Sequence, residues 1–108
     1  MSKLGINNKK NDTNLTGLFY FEGNKFSDER GTFMELYSEK NHLHSNSYSW
    51  VQDNVSHSLN KGTLRGLHLQ YGTAAQTKLI TCLRGSIFDV CVDARKGSNT
   101  YGQYQTFS

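Results

Sequence analysis

Thr63-Leu64-Arg65-Gly66-Leu67-His68-Leu69-Gln70 places a guanidinium and an imidazole three positions apart in an apolar, extended stretch. Lys78 follows in Gln76-Thr77-Lys78-Leu79-Ile80, and Asp89 follows in Ile87-Phe88-Asp89-Val90. The guanidinium is a rigid fork of donors for an oxyanion, and an imidazole exchanges protons near neutral pH. An ammonium stabilises negative charge as it develops, and a carboxylate can pair with it. An apolar core accepts none of these groups without a partner, so each needs a partner or a task.

Alternation decides which of them can meet. If Lys78–Leu83 and Ser86–Val92 form a hairpin turning at Arg84-Gly85, then Lys78, Ile80 and Cys82 share a face with Ile87, Asp89 and Cys91. Lys78 and Asp89 become diagonal neighbours, either as an ion pair on a sheet or as part of a polar site. In an ideal strand Arg65 points away from His68. A bulge at Gly66 would let the two share a side.

The same register sets Cys82 and Cys91 apart along the ladder, too far for a disulfide, so both thiols are expected reduced. No metal is expected. His42-Leu43-His44 has a ligand spacing, but it sits in a polar loop with Glu39 as its one close carboxylate. Gln70 stands where a second histidine would have to pair with His68.

The elements that must carry these residues read as short strands between turns. Leu15–Glu22 alternates, and Thr32–Tyr37, Tyr48–Ser56, Thr63–Leu69 and Tyr101–Phe107 are strand-like. Turns are marked at Gly23-Asn24, Asp28-Glu29-Arg30-Gly31, Asn60-Lys61-Gly62 and Arg95–Thr100. Ser38–Ser47 is polar and reads as a loop with one helical turn. No helical apolar period is sustained, so an all-β, antiparallel sandwich or barrel is expected.

At 108 residues with 35% apolar content, one domain with a thin core is the upper bound. Net charge is +3, with scattered basic residues, which gives no nucleic-acid stripe. A small anion held by a few arginines suits it better. The chain has neither an apolar signal segment nor a membrane-length run, so a cytoplasmic protein with no membrane partner is expected. Residues 1–14 are expected to be a flexible polar lead, with the domain over 15–108. Asn-x-Ser/Thr triplets at Asn11, Asn14 and Asn54 are read as chance matches.

Residues 16–107 resemble the N-terminal portion of the dTDP-4-dehydrorhamnose 3,5-epimerase family. The matching pieces are Phe26-Ser27-Asp28-Glu29-Arg30-Gly31-Thr32-Phe33 with Glu35 and Tyr37, then Val51-Gln52-Asp53-Asn54-Val55-Ser56, and Leu64 to Gln70. Gln76–Leu79, Gly85–Asp93 and Arg95-Lys96-Gly97-Ser98 complete the run. Asn99 replaces the family's usual proline, a turn substitution.

The resemblance implies a cupin-like jelly roll, incomplete at the C-terminus, and a dTDP-linked 4-keto-6-deoxyhexose substrate in deoxysugar and surface-polysaccharide synthesis. It implies His68 as the base beside the C4 ketone, Lys78 as the enolate stabiliser and Arg65 as a binder of diphosphate or sugar oxygen. Phe26, Arg30 and Glu35 would contact the nucleotide across a homodimer interface, with Gln52, Asn54 and Asp89 lining the pocket. No metal or organic cofactor is implied, because the ketone itself acidifies the neighbouring C–H bonds.

The family's chain continues past the equivalent of Ser108. By the same resemblance, that part supplies a reprotonating tyrosine, a carboxylate behind the base and the closing strands. Tyr101 and Tyr104 do not match the tyrosine's motif. A non-catalytic nucleotide-binding or partner-associating remnant is the alternative function. A 3,4-ketoisomerase is disfavoured by Gln70, where that class has a second histidine.

Overall fold

The computed structural model describes residues 9–42 and 49–108. These are all-β and antiparallel, apart from one helical turn and one 3-10 turn. They fall into two compact units: residues 81–108 together with the N-terminal region through 46, and Ser47–Ile80.

The first unit holds three two-stranded antiparallel sheets. β1 (Lys9–Asp12) pairs with β2 (Phe19–Glu22), Lys9 opposite Glu22. Their connection is pinned by Thr13, whose Oγ1 accepts from Leu15 N at 3.1 Å and donates to Leu18 O at 2.8 Å. Leu15 is 4% exposed and is the one buried apolar side chain among the described residues. The core is thin, as the composition leads one to expect. Residues 1–8 of the expected flexible lead lie outside the described residues, and 9–12 form β1.

β3 (Lys25–Asp28) pairs with β4 (Gly31–Met34) through the two-residue turn Glu29-Arg30. Asp28 makes that turn: its Oδ1 accepts from Arg30 N at 2.8 Å, an Asx turn that closes the loop with a side chain. Gly31 completes it at φ +138°, a backbone angle L side chains rarely adopt. The helical turn α1 (Glu39–His42) follows, within the polar stretch where one was expected.

β5 (Asp89–Val92) pairs with β6 (Tyr104–Phe107), Asp89 opposite Phe107 and Val92 opposite Tyr104. This corrects the expected hairpin. The chain bends at Arg84-Gly85, but Lys78–Leu83 form no strand, so no ladder sets Lys78 beside Asp89. The selection of β6 as partner comes from Asp93, at the end of β5. Its carboxylate accepts from Arg95 N at 3.0 Å, Arg95 Nε at 2.9 Å, Ser98 Oγ at 2.6 Å and Thr100 Oγ1 at 2.7 Å. The folded-back loop then extends the ladder through Asp93 N to Gln103 O at 2.8 Å and Gly102 N to Asp93 O at 2.7 Å. Tyr20 of β2 meets Phe107 of β6 with ring centroids 5.9 Å apart.

The donors around Asp93, Arg95 foremost and then Ser98 and Thr100, hold its carboxyl far below the ordinary value of 3.8. Asp28 is lowered in the same direction, first by the Arg30 side chain. A carboxylate with a depressed folded-state pKa stabilises the fold above the ordinary carboxylate range and loses that contribution as pH falls through its folded value. The Asp93 side chain is 1% exposed and that of Asp28 41%. We therefore expect Asp93→Asn to lower the thermal midpoint at neutral pH by clearly more than Asp28→Asn. A midpoint scan from about pH 5 down to about pH 2 should also be flatter for Asp93→Asn than for the unsubstituted chain. Equal loss from the two variants would contradict the structural role given to Asp93.

The second unit is extended chain with a 3-10 turn at Gly72–Ala74. The strands expected over Tyr48–Ser56 and Thr63–Leu69 do not form ladders among the described residues, and Tyr48 lies outside them. Alternation identifies a segment suited to a sheet, but the sheet needs a second strand to satisfy it. None covers this one: Val51 is 90% exposed and Leu64 89%. No helix among the described residues is long and apolar enough to cross a membrane.

Candidate functional site

The expected site residues divide between the two units. Phe26, Arg30, Glu35 and Asp89 lie in the first; Gln52, Asn54, Arg65, His68 and Lys78 lie in the second. Within the first, the β3–β4 hairpin brings Phe26 and Arg30 to one shallow cleft, lined also by Asp28, Thr32 and Phe33. Cross-strand pairing sets Phe26 opposite Phe33, and Phe33 leaves 58% of its surface exposed. The cleft thus offers aromatic faces beside a guanidinium. Arg30 Nε is 3.0 Å from Asp28 Oδ2, which orients the guanidinium. Thr32 and Phe33 join the cleft beyond the site residues expected from the sequence. The Phe26–Phe33 pairing, implied once the turn at residues 28–31 is recognised, is the signal that would have found them.

Glu35, after β4, accepts from Ser38 Oγ at 3.0 Å. Asp89 opens β5, half-buried, with its strand taken by β6. Two residues on, burial first and the Asp89 charge second push the Cys91 thiol above its ordinary value. Cys82 and Cys91 are unpaired, the first exposed and the second half-buried.

In the second unit the polar side chains stand on exposed, extended backbone. Gln52 Nε2 donates to Asn54 Oδ1 at 3.2 Å, because residues two apart on extended chain share a side. Arg65 Nε donates to Ser58 Oγ at 3.3 Å, across the turn that Thr63 Oγ1 closes by donating to Asn60 O at 2.8 Å. Ser58 thereby fixes one edge of the guanidinium, and the Nη nitrogens carry its remaining donors. His68 and Lys78 are exposed, and Gly66 stands between Arg65 and His68 at φ +92°. That angle breaks the strict alternation that would otherwise send the two side chains to opposite faces.

Among the described residues no group of three or more His, Cys, Asp and Glu side chains could hold a metal. Leu43 and His44, and with them the His-x-His pair, lie outside the described residues. The second unit presents an imidazole, an ammonium and a guanidinium on exposed chain, and the first, taken by itself, presents an aromatic cleft with an arginine.

The family model described as dTDP-4-dehydrorhamnose 3,5-epimerase matches residues 12–108. The chain belongs to that family. A dTDP-4-dehydrorhamnose 3,5-epimerase of Shigella flexneri is 45% identical over 94 residues, covering 85% of this chain and 51% of its own length. The epimerase of Methanothermobacter thermautotrophicus is 46% identical over 96 residues, covering 85% and 49%. That of Sinorhizobium fredii is 50% identical over 82 residues, covering 74% and 42%. The chain spans about half the length of these epimerases. No solved structure matches it. The family match runs through every candidate site residue, from Phe26 to Asp89.

Proposed function

We infer that this chain carries the proton-abstracting part of a sugar-nucleotide epimerase acting on a dTDP-linked 4-keto-6-deoxyhexose in deoxysugar synthesis. The observation that carries the reading is the family match over the segment holding Arg65, His68 and Lys78. His68 takes the proton from the carbon beside the C4 ketone, at C3 or C5. The C–H electron pair moves into the ketone, and the enolate oxygen that forms is met by the Lys78 ammonium. The enolate collapses when the carbon is reprotonated: from the same face it returns the starting sugar, and from the opposite face it inverts. The ketone supplies the acidity, so the chemistry calls for no cofactor.

Arg65 holds diphosphate or a sugar oxygen. Phe26 stacks on the thymine with Arg30 and Glu35 beside it, reached from a second copy in a homodimer. Gln52, Asn54 and Asp89 line the sugar pocket of a cupin-like jelly roll in the cytoplasm. Truncating Arg65 removes charge-assisted hydrogen bonds of about 1.5–3 kcal/mol, so Arg65→Ala should weaken dTDP binding ~10–100-fold by calorimetry. Arg65→Lys keeps the charge and loses the fork, and should recover only part of that loss. Full recovery by lysine would contradict fork recognition.

The reading is tested by incubating the chain with dTDP-4-keto-6-deoxyglucose in deuterated water and following label at C3 and C5. Exchange supports it. Nucleotide binding without exchange would replace it with a binding function centred on the Phe26–Arg30 cleft.

A further inference from the structure

We propose that Gly66 is a positioning residue for His68, acting through the space left by its missing side chain. The inference rests on the reading of His68 as the base and extends it to what sets the place of the ring. A Cβ at residue 66 would stand 3.0 Å from His68 Nδ1, 3.7 Å from His68 Cε1 and 3.2 Å from the His68 backbone nitrogen. Ordinary van der Waals separation is about 3.5–4.0 Å, so both the ring contact and the backbone contact are tight, and a neighbour must give by a few tenths of an ångström. The backbone nitrogen cannot swing away. The imidazole can, by rotating about its side-chain torsions, and a methyl group at 66 therefore displaces the ring from its position.

The approach is on the Nδ1 side of the ring. Gly66 thus lets the main chain shelter that edge and leaves the Nε2 edge to meet a substrate C–H bond. Gly62 provides the internal comparison. It lies in the same unit at φ +79°, and a Cβ there would meet nothing within 4 Å. Alanine at either position carries the penalty of a positive φ, but only alanine at 66 strikes the histidine.

The test compares Gly66→Ala with Gly62→Ala, using two readouts. Deuterium exchange into substrate should fall about 10-fold in kcat for Gly66→Ala, with KM nearly unchanged, since even a misplacement of about 1 Å costs a reacting group on the order of 100-fold. Gly62→Ala should stay close to the parent chain. Without substrate, the His68 ring ¹⁵N and Hε1 resonances should move in Gly66→Ala and stay in place in Gly62→Ala. In the unsubstituted chain, a nuclear Overhauser contact between a Gly66 Hα and His68 Hε1 should be present whether or not either variant folds. Absence of that contact overturns the proposal. So do unmoved ring signals in Gly66→Ala, or equal kcat losses in both variants. If the parent chain exchanges no deuterium, the base assignment fails, and the ring signals and Overhauser contact still decide whether Gly66 positions the imidazole.

Discussion

Replacing His68 by alanine is expected to slow deuterium exchange at the carbons beside the ketone by ~10²–10⁴-fold, the usual contribution of a positioned general base. Nucleotide affinity should change little, because the imidazole is assigned to the C–H bond and not to the nucleotide. The loss should therefore sit in kcat, the mark of an interaction used on the way to the transition state and not in ground-state binding. Free imidazole added to His68→Ala should restore part of the exchange, since the variant leaves room for a diffusible base. His68 is exposed, so its removal empties no core and the fold should persist. A matched loss of dTDP binding would instead assign His68 to recognition.

Lys78→Met is the second large effect. An ammonium aimed at an enolate oxygen is worth ~10²–10³-fold in rate when removed, the scale measured for groups that stabilise developing oxyanions. Methionine preserves the length and apolar stem of lysine, so the comparison isolates the charge. Lys78→Arg restores positive charge with a different shape and should recover part of the rate. The Lys78 result also bears on Asp89. If the two formed a functional pair, Asp89→Asn would reproduce much of the Lys78→Met loss. Asp89 instead lies in β5, paired with β6, and no strand over Lys78–Leu83 sets Lys78 across from it. Asp89→Asn is therefore expected to cost less, and exchange kinetics of the two single variants and their combination measure the difference.

Local chemistry was legible where one side chain acts on its own neighbours. Asp28 and Gly31 announced the β3–β4 turn, because an Asx turn and a positive-φ residue are short-range requirements. The polar stretch after Tyr37 announced one helical turn for the same reason. Partner choice was not legible. Asp89–Val92 alternates as a strand should, yet nothing in that alternation says whether residues 78–83 or 104–107 lie beside it. The decision comes from Asp93, whose carboxylate gathers Arg95, Ser98 and Thr100 and turns the chain toward β6. Its turn was visible in Arg95–Thr100, but its role in choosing a partner was not.

The second unit carries a related lesson. Val51, Val55, Leu67 and Leu69 lie on strand-like sequence with polar residues between them and are all exposed, because such a pattern states what a strand would bury without supplying what it would be buried against. The candidate site was legible in part for the opposite reason. His68, Lys78 and Arg65 are chemically costly residues in apolar surroundings, which singles them out whatever the pairing. The division of the candidate residues, with Phe26, Arg30, Glu35 and Asp89 in one unit and Arg65, His68 and Lys78 in the other, reflects contacts far apart in the chain, and no spacing rule reaches that far.

The role of His68 as the base is met directly by one measurement. The parent chain and His68→Ala are each incubated with dTDP-4-keto-6-deoxyglucose in deuterated water, and label at C3 and C5 is resolved by NMR against a protein-free control. The account predicts incorporation by the parent chain and a rate for His68→Ala reduced ~10²-fold or more. Incorporation at equal rates by both chains would contradict it.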